Sequence, residues 1–209
     1  NGNDTVRNAK FVVRNNLQAG IWSLKLVTIT SNGCSDTASQ QLTVFSNPSR
    51  SYSVNDTAQC FNENNFLFDN LSTSADGQKV SSFWDLGETT SNQKSFSYSF
   101  LSPGLKTVIL ISTTDSGCTD TAYIPISVFP SPKAAFSINN PAQCFNEQSF
   151  VMSDESSVIG DSITQRIWIN GNDTVRNVKF VVRNNLQAGT NNQQLVTITS
   201  NGCSDTATK

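Results

Sequence analysis

Short runs in which apolar and polar residues alternate recur along the 209-residue chain. Phe66 and Phe68, and later Val108 and Leu110, follow the two-residue period of a strand with one buried face. Gly, Asn, Asp and Ser bound these runs, as they commonly bound strands that end in turns. No stretch keeps apolar residues at the i, i+3, i+4 and i+7 spacing of an amphipathic helix. The pattern therefore predicts an all-β fold.

The chain also repeats itself. The sequence 1–38 returns at 170–207 without gaps, and differs only at one isolated position and in the block 21–25. The motif AQCFNE at 58–63 returns at 142–147. The period is about 84–85 residues, which is the signature of a repeat architecture.

The phase of the repeat predicts the domain organisation. Residues 1–46 correspond to the C-terminal half of one repeat, whereas 47–130 and 131–209 each correspond to a complete repeat. We call these three parts the first, middle and third segments. The linkers at 46–49 and 129–132 contain proline, which fixes its own φ and restricts the preceding residue. We therefore expect short, stiff connections between segments.

The middle segment shows the strand order most clearly. About seven short strands in a unit of this length are typical of a β-sandwich. The alternation and the turn residues predict strands A, B, C, E, F and G at 50–54, 65–70, 80–85, 94–100, 105–113 and 119–129.

The turns of this unit resemble those of PKD domains, which are Ig-like modules, and especially tandem PKD domains of secreted surface proteins of Bacteroidota. The W-D-F-G-D-G segment of that family appears as WDLGET at 84–89, with Leu, Glu and Thr in place of its third, fifth and sixth residues. The family's P-G turn before strand F appears as Pro103-Gly104. The turn GC-[ST]-DTA before strand G occurs at 33–38, 117–122 and 202–207. The resemblance implies tandem Ig-like (PKD-type) sandwiches that act as an extracellular spacer or adhesion module, not as a catalyst.

The tryptophans at the ends of strand C allow two interpretations. Trp84 and Trp168 could form a sugar-stacking platform, but the core tryptophan of an Ig-like sandwich is the favoured interpretation. The start of strand F raises a separate question, because the block IWSLK at 21–25 becomes TNNQQ at 190–194. Burying Asn191 or Gln193 without a partner would cost roughly 1–3 kcal/mol each. Either this strand start is exposed in the third segment, or these side chains find partners.

Composition excludes several classes of function. Charged residues make up 14% of the chain, the net charge is -2, and no histidine is present. These values argue against nonspecific binding to nucleic acid or to an anionic membrane, and they exclude histidine-dependent triads and most zinc sites. No apolar run approaches the roughly 18 residues of a membrane span. With no initial Met and no signal peptide, the sequence is expected to be a mature or internal fragment. We predict no catalytic residue, cofactor or metal site.

The cysteines recur at two places in the repeat. Cys60 and Cys144 lie in the loop between strands A and B, and Cys34, Cys118 and Cys203 lie in the turn between F and G. Those two connections are at opposite ends of the sandwich. A strand of about six residues spans about 20 Å, whereas a disulfide requires Cα atoms within about 7 Å. Bridges within one repeat are therefore disfavoured.

In a tandem array, the end where one domain stops meets the end where the next begins. This places Cys60 beside Cys203, and we hypothesise a bridge between them that joins the middle and third segments. Cys34, Cys118 and Cys144 would then pair outside the chain. Free buried thiols are the alternative, although the regular recurrence favours disulfides. No C-x-x-C spacing indicates a zinc site.

Loop carboxylates near the strand C turn have two interpretations. Asp4, Asp173, Asp85 and Glu88 could hold calcium with neighbouring carbonyl groups. No D-x-D-x-D-G ladder is present, so a solvated turn is the favoured interpretation, in which Asp85 accepts hydrogen bonds from loop amides.

The pattern D-[ST]-[AVI] recurs, and most examples fall at predicted turns. It resembles the O-glycosylation acceptor of Bacteroidota, which would modify the central residue. The acceptors that this resemblance implies are Thr5, Thr37, Thr57, Thr121, Ser162, Thr174 and Thr206.

The favoured function is a structural stalk or filament segment of a large repetitive extracellular surface protein, an adhesin that projects a binding element. The alternative is a carbohydrate-binding or accessory module of a secreted hydrolase. A groove lined by exposed aromatic residues would favour this alternative. A catalytic domain is the third option, but no carboxylate pair has a recognisable acid/base setting. The expected partners are adjacent repeats, other copies in a filament and surface glycans, with no nucleic acid and no membrane insertion. The expected location is extracellular, at the cell surface.

Overall fold

The computed structural model describes residues 5–184 and 186–209, and the regular elements in these ranges are all β-strands. The strands are β1 Gly20–Ile29, β2 Ser35–Val44, β3 Tyr52–Val54, β4 Ala58–Cys60, β5 Phe66–Asn70, β6 Val80–Asp85, β7 Thr90–Ser91, β8 Ser95–Tyr98, β9 Gly104–Thr114, β10 Thr119–Phe129, β11 Phe136–Ile138, β12 Phe150–Asp154, β13 Ile163–Asn170, β14 Asp173–Arg176, β15 Phe180–Arg183, β16 Gln194–Thr199 and β17 Ser204–Thr208. Within these ranges no helix is long and apolar enough to cross a membrane.

The strands of the middle segment form two sheets. One sheet has the order β4-β10-β9-β6-β7 and the other has the order β3-β5-β8. Side chains of Phe66 and Phe68 from one sheet and of Trp84, Val108 and Leu110 from the other are at most 1% exposed. Because inward residues of both sheets pack against each other, the unit is a β-sandwich. The predicted all-β sandwich and its core residues are confirmed.

The third segment repeats this arrangement with fewer residues. Its sheets have the orders β11-β12-β15 and β14-β13-β16-β17. Trp168 is 1% exposed and packs edge-on against Phe136, with ring centroids 5.3 Å apart. Met152, Val181 and Leu195 complete the buried cluster.

The first segment forms a hairpin. β1 and β2 pair antiparallel over their full length, from Gly20–Val44 to Ile29–Ser35, and form a two-stranded sheet. No second sheet covers this hairpin in the described residues, and Ile21, Leu26 and Ile29 are between 62% and 71% exposed. An isolated two-stranded hairpin is marginally stable in water.

The structure adds one strand to the predicted A–B loop. Residues of β4 pair in parallel with the end of β10, from Ala58–Ser127 to Cys60–Phe129. The same three residue types at 142–144 form no strand in the third segment. A short polar segment such as this has little intrinsic strand preference, so it becomes a strand only where a neighbouring edge offers hydrogen bonds.

Candidate functional site

The junction between the middle and third segments is built around Cys60. Its strand β4 runs beside the last residues of β10, and the amide of Phe61 donates to the carbonyl of Phe129 at 2.7 Å. The amide of Asn62 donates to Ser131 Oγ at 2.9 Å. These bonds hold the A–B connection against the linker at 129–132.

Cys203 lies in the tight turn between β16 and β17. The amide of Thr199 donates to the carbonyl of Cys203 at 2.8 Å, and Gly202 has a φ of 82°, a conformation that glycine adopts readily. Cys203 is 1% exposed. The turn therefore presents a fixed, buried sulfur at the end of the third segment that faces the linker.

Cys60 and Cys203 are joined in a disulfide, with Cα atoms 5.5 Å apart and a sequence separation of 143 residues. This is the pair that the repeat topology predicted. The bond links the A–B side of the middle segment to the F–G turn of the third, so the two sandwiches are connected both by the linker and by the bridge.

The other cysteines carry no bridge in the described residues. Cys34 and Cys144 are exposed, and Cys118 is half-buried. Their pairing with partners outside the chain stays a prediction.

At the junction between the first and middle segments, the carboxylate of Asp76 accepts hydrogen bonds from the linker. The amide and hydroxyl of Ser46 donate to Asp76 at 3.0 and 2.7 Å, and the hydroxyl of Ser74 donates to the same carboxylate. These hydrogen bonds, with Ser74 the strongest, hold the pKa of Asp76 far below its usual value. Asp76 is exposed, so this contact orients the linker rather than forming a core.

The strand C turn is organised by protein donors. Glu88 accepts from Lys106 Nζ at 2.8 Å, from the amide of Leu101 at 3.0 Å and from the hydroxyl of Tyr98 at 3.1 Å. Asp85 accepts from the amide of Gly87 at 2.8 Å, as predicted for a turn aspartate. Because these carboxylates are already engaged by protein donors, the structure supports the turn interpretation.

Asp173, a further calcium candidate, lies in β14 of the third segment. Asp173 forms an ion pair with Arg183 in the third segment, and Asp4 lies outside the described residues. Asp173 therefore lies in a different segment from Asp85 and Glu88 and is engaged by an arginine.

The Glu88 network predicts a pH dependence. The hydrogen bond from Lys106 is the main cause that lowers the pKa of Glu88 from 4.5 to about 2. A depressed carboxyl pKa stabilises the fold fully above the unfolded value and loses that contribution as the pH falls toward the folded value. We expect Glu88→Gln to lower the thermal midpoint of the middle segment most at pH 5 and progressively less toward pH 2. Calorimetry at several pH values measures this, and Glu155→Gln, at an exposed glutamate, is the control. A difference that stays constant from pH 5 to pH 2 would contradict the assignment.

The strand C tryptophans do not form a sugar-stacking platform, the disfavoured of the two interpretations. Trp84 and Trp168 are buried, and their indole Nε1 groups donate to the carbonyls of Gln93 and Val178, each at 3.0 Å. Both side chains are core residues, which confirms the favoured interpretation.

The D-[ST]-[AVI] acceptors are distributed differently from the prediction. Thr37, Thr121, Thr174 and Thr206 lie within strands, so the expectation that most examples fall at turns was wrong. Four of these motifs share a local bond in which Asp Oδ1 accepts from the amide of the following residue; the donors are Thr37, Thr121, Ser162 and Thr206. Thr121 is half-buried, whereas Thr5, Thr37, Thr57, Ser162, Thr174 and Thr206 are exposed.

The block TNNQQ at 190–194, which replaces IWSLK of the first segment, forms one wall of a cleft. β16 begins only at Gln194, whereas the corresponding β9 begins at Gly104. Asn191 Nδ2 donates to the carbonyls of Gln187 and Gly189 at 3.0 and 3.3 Å. Gln193 is 5% exposed, and its Nε2 has no hydrogen-bond partner among the described residues. Of the two polar side chains in question, one finds partners and the other is buried without one.

The cleft has a volume of about 440 Å³. Its apolar wall includes Phe150, Met152 and Leu186, and its polar wall includes Asn191 and Gln193. Sequence reasoning did not identify this cleft, although the replacement of IWSLK by TNNQQ in two otherwise nearly identical copies was a signal for it.

No protein-family model matches the chain, and no curated protein matches it. Two similar solved structures are β-structured modules. The fibronectin(III)-like modules of Clostridium thermocellum CbhA share 8% identity at a TM-score of 0.37, over 76% of this chain and 91% of that chain. Carbohydrate-binding modules from the β-sandwich superfamily share 16% identity at a TM-score of 0.37, over 72% of this chain and 84% of that chain.

Proposed function

We propose that the chain is a non-catalytic stalk segment of a large repetitive extracellular surface protein, an adhesin of the Bacteroidota type built from PKD-like repeats. The observation that carries the proposal is the disulfide between Cys60 and Cys203, which joins two successive sandwiches. In this proposal the segments 1–46, 47–130 and 131–209 are one half repeat and two complete repeats.

A bridged junction suits a projecting fibre. Relative motion is the default expectation for domains joined by a short linker. A covalent bond between the A–B side of one sandwich and the F–G turn of the next adds a second connection and restricts bending. Disulfides persist mainly in oxidising compartments, which supports the proposed extracellular location.

The proposed partners are adjacent repeats, other copies in a filament and surface glycans. Modules that contact mainly their neighbours allow the length of a stalk to increase without a change of core. The half-buried Cys118 and the exposed Cys34 and Cys144 are the proposed attachment points for neighbouring repeats.

We expect loss of the bridge to broaden the bending of the junction. Fluorophores introduced through non-natural amino acids at Ser116 and Asn146 report on the ends of the middle and third segments, since both positions are exposed. Single-molecule energy transfer is expected to give a narrow distribution in the oxidised chain and a broad one in Cys60→Ser. Cys118→Ser, which removes an unbridged thiol, is the matched control. Equal widths in Cys60→Ser and in the unmodified chain would contradict the stalk proposal.

A further inference from the structure

The strand β15 of the third segment has a free edge. The order of its sheet is β11-β12-β15, so β15 pairs with β12 on one side only. The amide of Asp154 donates to the carbonyl of Lys179 at 2.8 Å, which makes these two residues a hydrogen-bonded pair. Because such pairs alternate along antiparallel strands, Phe180 and Val182 direct their amides and carbonyls away from β12. These groups have no backbone partner within 5–184 and 186–209.

The side chains on the outer face of this edge are apolar. Phe180 and Val182 are 62% and 45% exposed. The residues that alternate with them, Val181 and Arg183, are buried, so the two exposed side chains point away from the core. Val151, which lies opposite Val182 on β12, extends the apolar surface by one strand. An edge that combines unpaired backbone groups with exposed apolar side chains is a template for pairing with another strand.

The corresponding edge of the middle segment is polar. β8 is an edge strand in the order β3-β5-β8, and the amide of Asn70 donates to the carbonyl of Lys94. By the same alternation, Ser95 and Ser97 direct their backbone groups to solvent, and both residues are exposed. The pairing with β5 gives these serines the places of the two exposed apolar residues of β15. Both sandwiches thus have a free edge here, and β15 adds apolar side chains to it.

The edge of β15 is complementary to a second copy of itself. In an antiparallel pair with a two-fold axis at Val181, Phe180 lies opposite Val182 of the second copy, and Val182 lies opposite its Phe180. Both pairs can exchange backbone hydrogen bonds, and their side chains lie on one face. The two three-stranded sheets then form one sheet of six strands, with the apolar residues at the centre of its outer face.

The charges near this edge are compatible with the pairing. Lys179 of one copy comes opposite Arg183 of the other, and like charges that face each other are unfavourable. Arg183 forms an ion pair with Asp173, which offsets its charge. A contact of this kind is isologous, because each copy contributes the same surface, and it closes after two copies.

We propose that β15 is a self-association site, at which a second copy of the chain pairs antiparallel, edge to edge. The proposal rests on the proposed function for its choice of other copies as partners, and it names the surface through which they associate. The bending test of the junction depends on Cys60 and not on β15. A failure of either proposal is therefore distinguishable from a failure of the other.

Sedimentation velocity over a range of concentrations tests the proposal. Cys34→Ser, Cys118→Ser and Cys144→Ser are introduced together to exclude disulfide-linked dimers, and we expect a reversible dimer in this chain. Val182→Pro removes an amide that faces the free edge but no hydrogen bond to β12, so it is expected to raise the dissociation constant of the dimer at least about tenfold. Ser97→Pro, at the corresponding position of β8, is the matched control and should leave the constant unchanged. A chain that stays monomeric, or a dimer that Val182→Pro does not weaken, would overturn the proposal.

Hydrogen exchange at low and high concentration locates the contact. Exchange of the amides of Phe180 and Val182 should slow as the dimer forms, whereas exchange at Ser95 and Ser97 should not. Phe180→Ser combined with Val182→Ser gives β15 the edge side chains of β8, and it should also weaken the dimer. Circular dichroism verifies that each variant folds. Slowing in β1 and β2 without slowing in β15 would assign association to the uncovered hairpin and overturn the proposal.

Discussion

Trp84→Ala is expected to lower the free energy of unfolding of the middle segment by about 3–5 kcal/mol, the range for truncating a large buried aromatic side chain. Trp84 is 0% exposed, and its ring centroid lies 5.6 Å from those of Phe68 and Phe96. Its indole also donates to the carbonyl of Gln93. The substitution removes these ring contacts of Trp84 and leaves the carbonyl of Gln93 without that donor.

Unfolding in urea is followed by hydrogen exchange in peptides from β9 and from β16. This measures the stability of the middle segment and that of the third segment separately. Trp84→Ala should shift the transition of β9, and Trp168→Ala should shift that of β16. Trp22→Ala is the matched control, because the Trp22 side chain lies on the uncovered hairpin, where its indole donates to the carbonyl of Gln18. A shift of β9 in Trp22→Ala as large as that in Trp84→Ala would contradict the assignment of Trp84 to the core.

Strands with strict alternation were predictable from the sequence. β6 and β10 begin and end at the predicted residues, 80–85 and 119–129. In β10 apolar side chains at every second position mark the buried face, whereas in β6 Val80 and Trp84 do so with Ser82 between them. Turn residues bound each strand. Local pattern was sufficient because the same residues determine both the strand and its place in the core.

Other features depend on distant partners and could not be predicted in this way. The sequence Ala-Gln-Cys forms β4 beside β10, but the same sequence at 142–144 forms no strand. The difference lies in the neighbouring edge and not in the three residues. The contact between Glu88 and Lys106 and the unpartnered Nε2 of Gln193 likewise depend on residues that are distant in the sequence.

The first and third segments show how much neighbouring strands and sheets contribute to the burial of a strand, because 26–38 and 195–207 have identical sequences. In the third segment Leu195 and Thr197 are 0% exposed, since β16 lies between β13 and β17 and faces the second sheet. In the first segment Leu26 is 62% exposed and the hairpin has no covering sheet in the described residues. The same side chains are thus buried in a core in the third segment and exposed to solvent in the first.

We expect amide hydrogen exchange in β16 to be at least about 100-fold slower than in the identical part of β1, because exchange from an uncovered hairpin requires only local opening. Mass spectrometry separates the copies, since proteolytic fragments that include 21–25 differ from those that include 190–194. Trp168→Ala, which weakens the core over β16, should bring the two rates closer together and leave β1 unchanged. Equal rates in the unmodified chain would show that the hairpin of the first segment is protected by contacts that its exposed apolar face does not reveal. The expected difference arises because a strand of this composition is stabilised by what covers it, and its intrinsic preference contributes equally to both copies.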